Sequence, residues 1–212
     1  MRLLLHRMMS SRQNGGRSCN YIVMYFTNVD EDGLVILPTH RVVHSLSQFE
    51  TKSILEKLER HFIVHGYKDK ESLLTALGSS PVVAFGLTLQ GESTFYLLTL
   101  KPTSPTKDPL AGEVPHEVKD LDVTVLHSIV VGDILAISTE AQAEKRYLEY
   151  THDSSEATEA VRSGNAQLAL LMKPTKIEQV RNVAKAGHLM PHKSTFFYPK
   201  LLSGLVLNLM TE

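Results

Sequence analysis

The sequence predicts an α+β fold (mixed α/β): a mixed sheet with flanking helices and a βαβα-like C-terminal half. Three observations carry this. First, runs such as Tyr21–Phe26 (YIVMYF) and residues 167–172 (QLALLM) are apolar at successive positions, as in strands covered on both faces. Second, segments between such runs space their apolar residues helically and open on capping residues, as Ser47 with Glu50 does. Third, strand-like and helix-like segments alternate beyond residue 120, which favours some parallel pairing there.

The elements follow in order. Residues 1–18 show no sustained period and contain Gly15-Gly16, so a disordered tail is expected. Tyr21–Phe26 is the first strand. Residues 28–33 (NVDEDG) form a turn, since Asn, Asp and Gly favour local hydrogen bonds and left-handed backbone. Residues 34–37 resume a strand, Pro38 interrupts it, and Arg41-Val42-Val43 extends it. Ser47 and Glu50 open a helix that carries Ile54, Leu55, Leu58 and Phe62 and is closed by His65-Gly66. A second helix spans 69–77 and stops at Gly78. Residues 82–89 and 94–100 are strands joined by the hairpin turn Gln90-Gly91-Glu92-Ser93.

Residues 101–115 contain Pro102, Pro105, Pro109, Pro115 and Gly112, the best candidate boundary in the chain. Residues 122–137 are apolar and fit helix or strand equally. A short strand at 147–150 precedes a helix capped by Asp153 with Glu156 and ended by Ser163-Gly164. The buried strand 167–172 follows. Thr175 with Glu178 then opens a helix through Ala184 that Gly187 ends, and 205–209 is a last strand. The expected organisation is a tail (1–18), an N-terminal α+β portion (19–100), a Pro-rich linker or long loop (101–120) and a C-terminal βα portion (121–212).

Composition limits the function classes. The chain has 212 residues, with 22 Lys plus Arg against 23 Asp plus Glu. A net charge of −1 lacks the basic excess of a general nucleic-acid binder, so no nucleic-acid partner is expected. At 42% hydrophobic, the chain has enough apolar surface to fold. No apolar run approaches the ~20 residues that span a bilayer, so no membrane partner is expected. The single cysteine, Cys19, excludes an intrachain disulfide and fits a cytoplasmic setting. Arg2, Arg7, Arg12 and Arg17 precede the first acidic residue, Asp30. Such a start suits either an organelle transit peptide or a plain tail, and the tail is preferred.

Ten histidines raise the question of a metal. Three pairs are spaced by four: His40/His44, His61/His65 and His188/His192. The first lies in a strand, where residues four apart stand about 13 Å apart. The third straddles Pro191, a helix breaker. His61/His65 sits at an expected helix end, where the dipole alone favours it. No metal and no cofactor are expected. There is no GxSxG elbow, no GxGxxG and no Walker sequence. The one phosphate-like feature is His192-Lys193-Ser194-Thr195, a cation beside two hydroxyls, with Lys200 and Arg181 able to join it. A polar loop satisfying its own backbone explains the same residues.

Three stretches together carry a resemblance: YIVMYFTNVDEDGLVILPTHRVV (21–43), LDVTVLHSIV (121–130) and, above all, AGHLMPHKSTFFYPKLLSGLVL (186–207). They resemble the bacterial and archaeal family called domain of unknown function 1015, whose members carry ILPTHR after a strand and a closing motif like MPxKSTYFYPKLxSGLV. The resemblance covers roughly residues 20–210. Full members carry an earlier domain with a DGHHRYE-type motif, similar to the ParB/sulfiredoxin-like fold, which in some relatives binds nucleotide or phosphorylates free serine. His6-Arg7 is the nearest match here, and residues 1–18 depart from the family pattern. The resemblance therefore implies an uncharacterised protein, the non-catalytic C-terminal portion of a larger member, associating with a separate N-terminal domain or with itself as a homodimer. The alternative is a phosphate- or nucleotide-binding part of a kinase-like enzyme.

The candidate ligand surface is the loop 188–200. Lys193 and Lys200 supply charge, Ser194 and Thr195 hydroxyls, Phe197 and Tyr198 aromatic faces, and Pro191 and Pro199 stiffness. Arg41, in the ILPTHR match, is the second expected anion contact, with His40 or His127 expected to titrate near neutral pH. Against this stands the plainer possibility that Phe196, Phe197 and Tyr198 are core and that Lys193 pairs with a carboxylate.

Overall fold

In a computed structural model of the chain, strand β6 (Ala84–Leu89) is buried at all six positions, and the largest sheet is built around it. The structure describes residues 2–7, 21–26, 34–102, 115–119, 121–144 and 146–200. The chain divides into two units, Met1–Val35 with Phe197–Glu212, and Ile36–Phe196.

In the first unit, β1 (Arg2–Arg7) pairs antiparallel with β2 (Tyr21–Phe26), from Arg2 opposite Phe26 to Arg7 opposite Tyr21. Residues 2–7 were expected in a loose tail. Instead, Leu3, Leu4 and Leu5 lie in a strand, and its partner is the most β-prone run of the sequence. Beyond β3 (Val35–Leu37), which pairs with β10 (Phe196–Tyr198), the remaining elements belong to the second unit. The turn read at 28–33, Cys19 and the strand read at 205–209 lie outside the described residues.

The second unit holds a six-stranded sheet in the order β5-β7-β6-β9-β4-β8. These are β4 (His40–Val43), β5 (Phe62–Tyr67), β6, β7 (Phe95–Leu100), β8 (Leu148–Thr151) and β9 (Leu168–Leu171). The protein is α+β, but the parallel pairing expected after residue 120 is absent, since every paired neighbour in this sheet is antiparallel. The topology explains why. Helix α2 (Lys70–Ser79) connects β5 to β6, which run parallel, but β7 is inserted between them. Helix α6 (Ser154–Arg162) connects β8 to β9, also parallel, but β4 is inserted between them. Both are split βαβ units. The alternation seen in the sequence therefore marks real crossovers whose parallel strands do not touch.

Strand alternation feeds two cores. Ala84, Leu97, Val42, Ala169 and Leu171 face Leu73 and Leu77 of α2 and Ala157 and Val161 of α6. Phe85, Leu98, Val43, Leu168 and Leu170 face the other way, toward Ile54 and Leu58 of α1 (Thr51–Leu58) and a long helical stretch. This stretch is α4 (Asp122–Val125) continued by a π-helix (Leu126–Ile134), which buries Leu126, Ile129, Val130, Val131 and Ile134. It resolves the ambiguous segment 122–137 as helical. Helices on both faces explain why the central strands β6 and β9 are buried at every position. Short helices α3 (His116–Lys119) and α5 (Thr139–Ala143) and the amphipathic α7 (Ile177–Lys185) complete the unit. Among the described residues no helix is long and apolar enough to cross a membrane.

Three local expectations are corrected. Phe62 and His65 belong to β5, so α1 ends at Leu58 and the pair His61/His65 is not helical. Glu50, with no side-chain cap bond, takes the N-cap in place of Ser47. Gly78 lies inside α2, whose true cap is Asp69, accepting from Ser72 N at 2.8 Å. The hairpin at Gly91 is as expected, with φ of 81°, a conformation glycine adopts freely.

Gly86 is closely packed under α2 and against β9: an added Cβ would lie 3.0 Å from both Leu171 Cβ and Leu73 Cδ2. Gly86→Ala should lower stability by about 1–3 kcal/mol through overpacking, read as a shift in urea midpoint at unchanged slope. An unchanged midpoint would show that Leu73 moves aside freely.

Candidate anion site

Strand β4 positions the site. Its alternation sends Val42 toward α2 and α6 and Val43 toward the π-helix, so His40 and Arg41 point to opposite faces. His40 is 2% exposed, and its Nδ1 accepts from Met172 N, just past β9, at 3.0 Å. Arg41 is 1% exposed. Its Nη1 donates to Thr39 O, and its Nη2 donates to Lys193 O at 3.0 Å and to His127 Nε2 at 3.1 Å.

The His127 tautomer follows from its partners. Nδ1 lies 2.7 Å from Gln142 Oε1, which can only accept, so Nδ1 carries the hydrogen. Nε2 is then free to accept from Arg41. Gln142 is itself oriented by its Nε2, which donates to Ile137 O at 2.9 Å. Burial, reinforced by the Arg41 charge, pushes both His40 and His127 down to about 4. Both rings are therefore neutral at pH 7, and neither titrates near neutrality as expected from the sequence. Burial also lowers Arg41 to about 10, which leaves it a cation.

Arg41 has no ion-pair partner among the described residues. The ion pairs among the described residues are His44–Glu149, Arg146–Glu144 and Lys173–Asp122, and none includes it. Tyr150 places its ring 5.5 Å from Arg41 Cζ. Such a cation–π contact contributes about 0.5–2 kcal/mol, whereas burying an unpaired charge costs several. The Arg41 Nε–H also has no partner.

The second wall is the turn at 191–194. Ser194 N donates to Pro191 O at 3.3 Å, and Lys193 has φ of 58°, the left-handed region that non-glycine residues seldom occupy. This backbone aims the Lys193 carbonyl at the guanidinium. Thr175 Oγ1 donates to Ser194 O at 2.7 Å. That use of the hydroxyl corrects the capping box read at Thr175 and Glu178: Lys176 caps α7 instead, its N donating to Gln179 Oε1 at 2.8 Å. Ser194 is 8% exposed, and its Oγ has no partner. Arg41 and Ser194, the residues that carry these two orphaned groups, line one small cavity of about 20 Å³, whose walls include Thr39, Asp122, Lys173 and Thr175.

Of the residues picked out from the sequence, Arg41, Ser194 and, through its carbonyl, Lys193 meet here, with His127 behind Arg41. The Lys193 side chain is exposed, and Thr195 is half-buried outside the cleft lining. Lys200 is exposed and belongs to the first unit. Phe196 is half-buried, its ring centroid 3.6 Å from that of His152, while Phe197 and Tyr198 are exposed. The sequence reading missed Asp122, Lys173 and Gln142. The available hint was charge inside apolar segments: Asp122 interrupts an apolar stretch, and Lys173 comes two residues after the buried β9. Among the described residues no three His, Cys, Asp or Glu side chains gather as metal ligands.

A family model described as protein of unknown function (DUF1015) matches residues 2–124. The chain belongs to the DUF1015 family. The match takes in the arginine-rich start that the sequence reading placed outside the family pattern, and it stops before the 186–207 stretch. No curated protein matches the chain. Solved structures similar to this DUF1015 chain include a free serine kinase in complex with AMP, at 14% identity and TM-score 0.47, and a mutant of it in complex with ADP, at 13% and 0.47. Each alignment covers 84% of this chain and 59% of the kinase, so the chain spans about three fifths of that protein's length. A conserved hypothetical protein from Pyrococcus furiosus aligns at 12% identity and TM-score 0.46, over 92% of this chain and 76% of that one.

The neutral histidines set a pH dependence. His127 binds fewer protons folded than unfolded between its folded value of about 4 and the ordinary 6.5. Its contribution is therefore complete above 6.5 and is lost as pH falls toward 4, with a ceiling of roughly 3 kcal/mol. Wild type and His127→Gln, unfolded by urea across this range, should diverge in stability as pH rises from 4 to 6.5. Parallel pH profiles would show that His127 titrates normally.

Proposed function

We propose that this chain binds a phosphate group in the Arg41 cleft and is the phosphate-holding portion of a larger phosphoryl-handling protein, not a complete catalyst. The observation that carries this is the buried guanidinium with a free Nε–H and no ion-pair partner among the described residues, its residue lining the same cavity as Ser194, whose hydroxyl is unpaired. A buried cation held only by carbonyls, a neutral imidazole and an aromatic face is stabilised by any anion that reaches it. The donors already present suit a tetrahedral oxyanion, which accepts several charge-assisted bonds at once. Groups for a complete reaction would come from a separate N-terminal domain or a second copy of the chain.

Calorimetric titration with phosphate, ADP and ATP tests this reading. Arg41→Met should weaken phosphate binding by about tenfold or more, the value of one charge-assisted hydrogen bond. Lys193→Ala should change it less than about threefold, because an exposed ammonium contributes little. Equal heats for wild type and Arg41→Met, or none for either, would leave a structural arginine in a non-catalytic accessory portion.

A further inference from the structure

We infer that a second cavity, between α1 and the end of the π-helix, binds a short apolar peptide with both termini free. Its volume is about 680 Å³, inside the range of roughly 300–1,000 Å³ that small-ligand sites occupy. It shares no lining residue with the cavity beside Arg41. The walls are braced without a ligand. Gln167 holds Leu46 at both backbone groups, its Oε1 accepting from Leu46 N at 2.6 Å and its Nε2 donating to Leu46 O at 2.9 Å. Ile134 ends the π-helix, and Ile137 N donates to Val131 O at 3.0 Å, which fixes the turn that follows. Ala136, in that turn, has φ of 54°, and Ser45, just before Leu46, has φ of 60°. These are two of the three non-glycine residues with left-handed backbone among the described residues. Such conformations, like π-helical turns, gather at functional sites. Braced walls also lose little entropy when a ligand enters.

The lining selects the ligand. Leu46, Phe49, Ile54, Ile137 and Tyr147 give apolar surface, and Ser47, Gln48 and Ser53 interrupt it with hydroxyls and an amide. A fatty acid needs an unbroken apolar sleeve, and a nucleotide needs an excess of cations. This lining has neither, because its charges balance: one carboxylate, Glu50, and one ammonium, Lys57. No ion pair among the described residues includes either of them. A peptide with apolar side chains alternates apolar groups with backbone donors and acceptors, which matches the mixed wall. The charges also set its length. Glu50 is the N-cap of α1 and Lys57 lies seven positions on, close to two turns and so on one side of the helix, about 10 Å away at 1.5 Å per residue. An extended chain advances about 3.3–3.6 Å per residue, so about three residues cover that distance. The peptide's ammonium then meets Glu50 and its carboxylate meets Lys57, each through a charge-assisted hydrogen bond. A peptide laid in reverse faces like charges at both ends, so the direction is specified.

The test is calorimetric titration of the whole chain with trileucine, N-acetyltrileucine, trileucine amide, triserine and decanoate. Trileucine should bind saturably. Blocking either terminus should weaken binding by about threefold or more, the value of one partly exposed charge pair. Triserine keeps both charges and loses the apolar side chains, so it should bind at least about tenfold more weakly. Lys57→Ala should bind trileucine and its amide alike while still discriminating against the acetylated peptide. Glu50→Gln should do the reverse. Both side chains are exposed, and that of Glu50 makes no capping bond to α1, so neither substitution disturbs the fold. Absence of trileucine binding, equal affinity for free and blocked peptides, or binding of decanoate in place of trileucine would each overturn the inference. The comparison of ligands on the wild-type chain decides it without any variant.

Discussion

A cation removed from water without an anion is the constraint on which the candidate site depends. Arg41 is nearly inaccessible, yet remains charged at neutral pH. Everything around it is arranged to tolerate that charge. Three acceptors take its Nη hydrogens, one of them an imidazole whose tautomer is set by Gln142, and Tyr150 offers the negative face of its ring. These contacts serve the Nη groups, while Nε–H is left without a partner and no ion pair among the described residues includes Arg41. The strained backbone of Lys193 belongs to the same arrangement, since the left-handed turn presents its carbonyl to the guanidinium.

The sheet makes the arrangement possible. Two split βαβ units meet where β6 pairs with β9, and α2 and α6 cover one face together. The opposite face is left to α1 and to the π-helix that carries His127. Because β4 is inserted between β8 and β9, Arg41 lies directly opposite Tyr150 on one side and Leu170 on the other. The aromatic partner is therefore fixed by strand register.

Much of the fold was legible because its elements carry local patterns. Capping Asp153, the hairpin at Gly91 and the buried strand before Met172 follow from composition and spacing alone. Where the reading failed, long-range pairing decided the outcome. Phe62 and His65 continue a helical pattern from Leu58, yet pairing of β5 with β7 claims them for the sheet. Parallel strands were anticipated from the chain order, which cannot reveal a third strand inserted between two others. The site was half legible. The Ser194 loop and Arg41 stood out as residues, but the sequence gives Lys193 an ammonium to offer, and the structure uses its carbonyl. Asp122 and Lys173 form no motif because they stand about fifty positions apart and meet only where the start of α4 reaches the segment after β9.

The separation of partners along the chain has a consequence for assembly. Arg41 bonds to residues 86 and 152 positions away, whereas β5, β6 and β7 all lie within one short stretch. Contacts of high sequence separation form late, because the entropy of closing long loops must be met before they contribute. The β5-β7-β6 half can organise early from local contacts, while β4 must wait for β8 and β9. The cavity beside Arg41 thus comes into being only with the last long-range pairings. A partly folded chain would present a layered half-sheet and no cavity, so the burial of Arg41 would report on complete folding of this unit.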